Sequence, residues 1–88
     1  MQQNYPNPFN PTTTIQFSVP DRSKTELKVF DIMGREVITL VNQTLEPGYH
    51  QIIWNGRNGF GQSIASGMYF AVMRNENFKA VKKMVLLK

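Results

Sequence analysis

From Thr14 to Val19 the side chains alternate without a break, Ile15, Phe17 and Val19 on one side and Thr14, Gln16 and Ser18 on the other, until Pro20-Asp21 ends the run. A period of two over such a stretch is a strand with one buried and one wetted face. The same pattern of short runs recurs at Leu27 to Asp31, Glu36 to Val41, Tyr49 to Trp54 and Met68 to Arg74, each cut off by Gly, Pro, Asn or Asp. No segment sustains the 3.6-residue period of an amphipathic helix. The chain is therefore restricted to strands joined by turns.

With Ser63-Ile64-Ala65 as a short strand and Phe78 to Lys88 as the last, the spacing predicts about seven antiparallel strands in an all-β, immunoglobulin-like β-sandwich. At 88 residues there is room for one domain, and a chain of this size hides only about two thirds of the surface its unfolded form exposes. There is no cysteine, which removes both a disulfide framework and a thiolate metal site. Packing and strand pairing must carry the fold. Trp54, the single tryptophan, is the expected central core residue, with His50 and Ile52 on its face of the strand.

Three of the five prolines lie in Asn4-Tyr5-Pro6-Asn7-Pro8-Phe9-Asn10-Pro11. Each pushes the residue before it out of the helical region, so residues 1–11 read as the end of a linker that docks on the domain, which runs from Thr12 to Lys88. Asp31-Ile32-Met33-Gly34 reads as a turn with a positive φ at Gly34, and Pro47-Gly48 suits the centre of a type II turn. Asn42-Gln43-Thr44 reads as a loop. Between Trp54 and Phe70 lie four glycines and a cluster of asparagines, faintly like an oxygen-ligand calcium loop. Such a site needs several carboxylates and this loop has none. His50 has no second histidine or paired carboxylate beside it, so no catalytic, metal or cofactor-binding residue is expected.

Ten Lys and Arg against six carboxylates leave a net charge of +4, and Lys79, Lys82, Lys83 and Lys88 concentrate it near the C-terminus. They lack the row of aromatics or arginines that accompanies single-strand nucleic-acid binding, so no nucleic-acid partner is expected. In Met84-Val85-Leu86-Leu87 an extended chain has apolar residues on both sides. A strand of that kind is either covered on both faces, most simply by lying at the centre of a sheet, or it offers an apolar strip to a partner. No apolar run is long enough to cross a membrane as a helix.

Taken together, the run Asn4 to Ile15, Val29-Phe30-Asp31 with Gly34-Arg35-Glu36-Val37, Pro47-Gly48-Tyr49-His50, Trp54-Asn55-Gly56-Arg57, Ser66-Gly67-Met68-Tyr69 and the closing Lys83 to Lys88 resemble the C-terminal sorting domain of type IX secretion cargo, type A. The pattern is also similar to the immunoglobulin-like domain of the flagellar hook-capping protein. One departure is Asn55, where the sorting domains often have Asp. The resemblance implies a sorting domain that carries no active site of its own, on a parent protein that ends up secreted or on the cell surface after crossing periplasm and outer membrane. It implies as partners the outer-membrane export machinery, a transpeptidase that removes the domain and can transfer the cargo to anionic lipopolysaccharide, and the parent's N-terminal domains. It also places the recognised motifs on Pro47, Gly48 and Tyr49, on Gly67 and Tyr69, and on Lys82, Lys83, Met84, Val85, Leu86, Leu87 and Lys88. Weak self-association through the C-terminal strand is a further expectation. Two other readings compete: a carbohydrate- or surface-binding accessory module using Tyr49, Trp54, Phe60 and Tyr69, and a hook-cap-like assembly domain.

Overall fold

The computed structural model describes all residues, Met1–Lys88, and contains strands and no helix. The strands are β1 (Thr13–Val19), β2 (Ser23–Asp31), β3 (Glu36–Leu45), β4 (Gly48–Trp54), β5 (Gly67–Arg74) and β6 (Lys79–Leu86). They form two antiparallel sheets, a pair in the order β1-β4 and a set of four in the order β3-β2-β5-β6. The architecture is the all-β sandwich that the alternation predicts.

Alternation decides which residues make the core. From the smaller sheet come Ile15, Phe17, Val19 and Trp54, and from the larger Leu27, Val29, Tyr69, Ala71, Met73, Met84 and Leu86, all buried. Burying each of the larger side chains contributes roughly 1.5–3 kcal/mol. The indole of Trp54 stands at the centre, its ring centroid 5.4 Å from Phe9 and 5.8 Å from Tyr69, the latter edge-on at 76°. Tilted and edge-on contacts are the arrangements aromatic quadrupoles favour.

Several segments differ from expectation for identifiable reasons. The strand expected at Leu27 begins at Ser23, because Ser23 and Thr25 take inward positions and are buried. Thr25 satisfies its hydroxyl on the carbonyl of Ser23 at 3.3 Å, so a small polar side chain fills a core position and hides the alternation. Asn42-Gln43-Thr44 is not a loop but the far half of β3, paired with Glu26, Thr25 and Lys24. The doublets Val37-Ile38 and Leu40-Val41, apolar on both faces of a regular strand, fall where the β2–β3 register shifts, between Leu27 and Lys28 and between Val29 and Phe30. Each shift adds one residue to β3 and resets which residues point inward, so Val37, Ile38, Leu40 and Val41 all pack against the core.

Ser63-Ile64-Ala65 makes only a single bridge, between Ser63 and Arg57, so the named strands number six. The terminal strand is not central. β6 is an edge of the larger sheet, and Phe9 pairs with its far side: the Phe9 N–H donates to the Val85 carbonyl at 2.9 Å and the Leu87 N–H to the Phe9 carbonyl at 2.9 Å.

Candidate functional site

The tail is built from two chain ends. β5 and β6 are in register, with Gly67 opposite Leu86, Met68 opposite Val85 and Tyr69 opposite Met84, so the expected motif Gly67-x-Tyr69 lies directly beside the tail. Met84 and Leu86 are fully buried, whereas Lys83, Leu87 and Lys88 are exposed, Leu87 by 52%. Lys82 and Val85 are half-buried. The outer edge of β6 is held by the N-terminal segment: besides the Phe9 pair, the Val85 N–H donates to Asn7 Oδ1 at 2.9 Å and Gln3 Nε2 donates to the Lys83 carbonyl at 2.8 Å.

Residues 2–9 are themselves anchored. The buried Asn4 donates through Nδ2 to Thr13 Oγ1 at 2.9 Å, and that hydroxyl donates to the Pro6 carbonyl at 2.8 Å. Phe9 is 2% exposed against Trp54. The composition of Asn4 to Pro11 signals turns and a segment that docks, but not that its target is the edge of β6. The one available signal is Phe9, a large apolar side chain in an otherwise polar, proline-rich run.

Tyr69 is positioned by more than packing. Its hydroxyl donates to the Ala65 carbonyl at 2.6 Å, and burial, with the Asp31 carboxylate as the lesser cause, pushes its phenol above the ordinary 10.0. Asp31 closes the β2–β3 turn. Its carboxylate accepts from the backbone N–H groups of Arg35 and Met33 and from Arg35 Nε. These bonds, that of the Arg35 N–H foremost, outweigh partial desolvation and hold its pKa below the ordinary carboxylate value.

Pro47, Gly48 and Tyr49 lie elsewhere. Tyr49 is 91% exposed near the start of β4, and Gly48 takes a φ of 129° where the chain crosses from β3 in one sheet to β4 in the other. Trp54, at the opposite end of β4, is the residue that touches Tyr69 and Phe9. Five residues of extended backbone, about 17 Å, separate Tyr49 from Trp54 and so from the contact with Tyr69 beside the tail. The structure brings Gly67 and Tyr69 to the tail and leaves Pro47-Gly48-Tyr49 apart.

The glycine-rich loop after Trp54 is closed on itself. The Asn58 carboxamide oxygen accepts from the N–H groups of Phe60 and Gln62, both at 3.0 Å, Trp54 Nε1 donates to the Arg57 carbonyl at 2.9 Å, and Arg57 Nη1 donates to the Gly61 carbonyl at 3.0 Å. Its polar groups are spent on shaping the turn. No three His, Cys, Asp or Glu side chains come together in a way that could hold a metal ion. Of the aromatics that could stack on a sugar, Trp54 and Tyr69 are buried, and Tyr49 and Phe60 are exposed on different elements.

A helix-free sandwich whose terminal strand is clamped by a segment from the opposite end of the sequence defines a small all-β module. The chain belongs to the family described as "Secretion system C-terminal sorting domain", which it matches over residues 3–87. It is a C-terminal sorting signal domain of the type IX secretion system, in a family that is not catalytic, and the family implies export to the cell surface or beyond. Two solved structures, both from Porphyromonas gingivalis, share the fold. PorZ, a bacterial surface component of the type-IX secretion system, is 22% identical, with a TM-score of 0.69 over 97% of this chain and 11% of its own. Dimeric latent PorU is 18% identical, with a TM-score of 0.71 over 96% of this chain and 9% of its own. The chain thus spans about a tenth of the length of either protein. No curated protein matches it.

Proposed function

We propose that the export machinery at the outer membrane reads the tail from Lys82 to Lys88, together with Gly67 beside it, and that Pro47-Gly48-Tyr49 forms a second, separate point of contact. The observation that carries this reading is the division of labour within the tail: Met84 and Leu86 are core residues, while Lys83, Leu87 and Lys88 are displayed to solvent. A receptor can grip the displayed set without unfolding the domain. In this reading the domain has no active site, is the substrate of a transpeptidase, and is removed or exchanged for a lipopolysaccharide anchor once its parent has crossed the outer membrane. Residues 1–11 join it to the parent's N-terminal domains, and the kinship with the immunoglobulin-like hook-capping domain is part of the same reading, supported by the two-sheet arrangement.

Deleting the last ten or so residues is a poor test, because it removes Met84 and Leu86 from the core and confounds folding with recognition. Substitutions at Lys83, Leu87 and Lys88 avoid this. Fusing the domain to a reporter with the changes Lys83→Glu, Leu87→Asp and Lys88→Glu should leave the denaturation midpoint nearly unchanged and abolish export of the reporter. Undiminished export with a folded domain would overturn the reading.

A further inference from the structure

Four strands end the two sheets, and three of them are protected along their outer edges. β1 is bonded by Gln2 and Tyr5, and β6 by Phe9 and Asn7, with Lys79, Lys82 and Lys83 along the strand. β3 is interrupted by its register shifts and covered at Val37 by the N–H of Gly59. β4 has none of these devices. It holds an unbroken register with β1, carries no charged residue from Gly48 to Trp54, and exposes Tyr49 by 91% and Ile53 by 61%. No backbone group of β4 bonds to anything outside that pairing. Bare, uncharged, regular edges are templates for another strand.

The polarity of the edge follows from β1. Thr14 exchanges both backbone bonds with Tyr5, and the Gln16 carbonyl accepts from Gln2, so the even-numbered residues of β1 face the N-terminal segment and the odd-numbered ones face β4. Their partners are Ile52 for Ile15 and His50 for Phe17. The N–H and C=O groups of Tyr49, Gln51 and Ile53 therefore point outward, away from β1.

We propose that β4 is a pairing edge whose occupant is β4 of a second copy of this chain, antiparallel about a two-fold axis at Gln51. This rests on the edge alone and is independent of how the tail is read. The strand is complementary to itself in that register. Gln51 meets Gln51 as a hydrogen-bonded pair with the two amides side by side, and Tyr49 meets Ile53 of the second copy, an aromatic beside a β-branched residue, as cross-strand pairs prefer. No like charges meet across the seam: β4 itself carries no Lys, Arg, Asp or Glu, and the flanking Glu46 is ion-paired with Arg22 of its own chain at 2.9 Å. The product is one continuous four-stranded sheet in the order β1-β4-β4-β1. So short a seam makes a small interface, and the association is correspondingly weak and concentration-dependent.

The absence of cysteine supplies a direct test. In a hydrogen-bonded antiparallel pair the Cα atoms are about 5.5 Å apart, within the roughly 4.4–6.8 Å that a disulfide spans. Under mild oxidation of the 88-residue chain, Gln51→Cys should form a covalent dimer at least about tenfold faster than Gln16→Cys, an equally exposed thiol one strand inward. In sedimentation the cysteine-free chain should associate at high concentration. Ile53→Lys should weaken that association by about tenfold or more, as should Gln51→Pro, whose lost N–H faces solvent in the monomer. Trp54 fluorescence reports that each variant is folded. Equal cross-linking rates at positions 51 and 16, a chain that stays monomeric at every concentration, or association lost on Val85→Lys and kept on Ile53→Lys would each overturn the proposal.

Discussion

Residues 2–9 run from β1, where Tyr5 pairs with Thr14, to β6, where Phe9 pairs with Leu86, and tie together the edges of both sheets on that side of the sandwich. β4, the other edge of the smaller sheet, meets no such segment, and its outward backbone groups are left to water. The strap side has a buried Phe9, a buried Asn4 and a set of bonds directed at the tail, whereas the β4 side offers Tyr49 and Ile53 to solvent. Both edges belong to sheets of the same sandwich, so twist and packing do not explain the contrast. What differs is the cover each one receives. β6 contributes Met84 and Leu86 to the core, and a strand that frays there opens the core. β4 also contributes to the core, through Trp54 with Ile52 packed beside it, yet it is held by its pairing with β1 alone.

The sharpest way to break the comparison is to remove the strap's anchor. Phe9→Ala takes away a ring that is 2% exposed and packed on Trp54, and truncating a buried Phe costs about 3–5 kcal/mol through lost burial and the cavity left behind. In a domain whose whole stability is of order 5–15 kcal/mol, this brings the chain close to unfolding. Urea denaturation followed by Trp54 fluorescence should show the midpoint collapse. A loss below about 1 kcal/mol would mean that the strap is an accessory rather than part of the core.

Gly56→Ala strains the same side from the loop. Gly56 has a φ of 70°, and a Cβ there would stand 2.8 Å from the Pro11 carbonyl oxygen. Backbone is a poor neighbour to displace, and a non-glycine residue at positive φ adds its own strain, so a loss of about 1–3 kcal/mol is expected, measured by the same denaturation. Gly34→Ala makes the internal contrast. Its φ is 79° but nothing lies within 4 Å of the added Cβ, so only the backbone part of the penalty, about 1 kcal/mol, should appear.

Tyr69→Phe removes the bond to the Ala65 carbonyl and should cost about 0.5–1.5 kcal/mol at neutral pH. The pH dependence has a definite sign. The Tyr69 phenol is raised above 10.0 in the folded state, so the fold keeps a proton that the unfolded chain releases. Stability from this group is complete below about pH 10 and declines as pH rises toward the folded value. The Phe variant has no proton to lose there, and denaturation between neutral and strongly alkaline pH should show a shallower decline than in the parent chain.

How much of this was legible in the sequence differs by region, for physical reasons. Alternation in β1 and the isolated apolar runs of β4 and β5 announce an all-β sandwich with Trp54 inside it. They do so because one wet face imposes a period of two. The bulged strand β3 defeats that logic, since doublets such as Val37-Ile38 arise only from a register that the partner strand imposes. Ser23 and Thr25 conceal the start of β2 because polar side chains satisfied by backbone carry no hydrophobic signal. Within the tail, the residue types in Met84 to Leu87 show apolar character on both faces, but not that the second face belongs to Val85, half-buried, and to an edge clamped from the other chain end. That clamp joins residues 78 apart, Asn7 and Val85, and nothing local in either segment points to the other.

The mildest prediction makes the clearest contrast with Phe9. Tyr49→Ala removes an aromatic of similar size from β4, but one that is 91% exposed, with no side-chain hydrogen bond to lose. Only the preference of aromatic residues for extended backbone opposes the change, and on an edge strand that preference is a fraction of the roughly 1 kcal/mol span of such scales. Stability should therefore move by no more than about 0.5 kcal/mol, with the denaturation slope unchanged, because the surface exposed on unfolding is nearly the same. Two aromatics truncated to the same residue would then differ by several-fold in their effect, and the difference measures what the strap does for its side of the sandwich and what nothing does for β4. A loss at Tyr49 approaching that at Phe9 would show that the bare edge contributes to the fold in its own right, and would remove the basis for treating its exposed aromatic as a surface kept for contact with another chain.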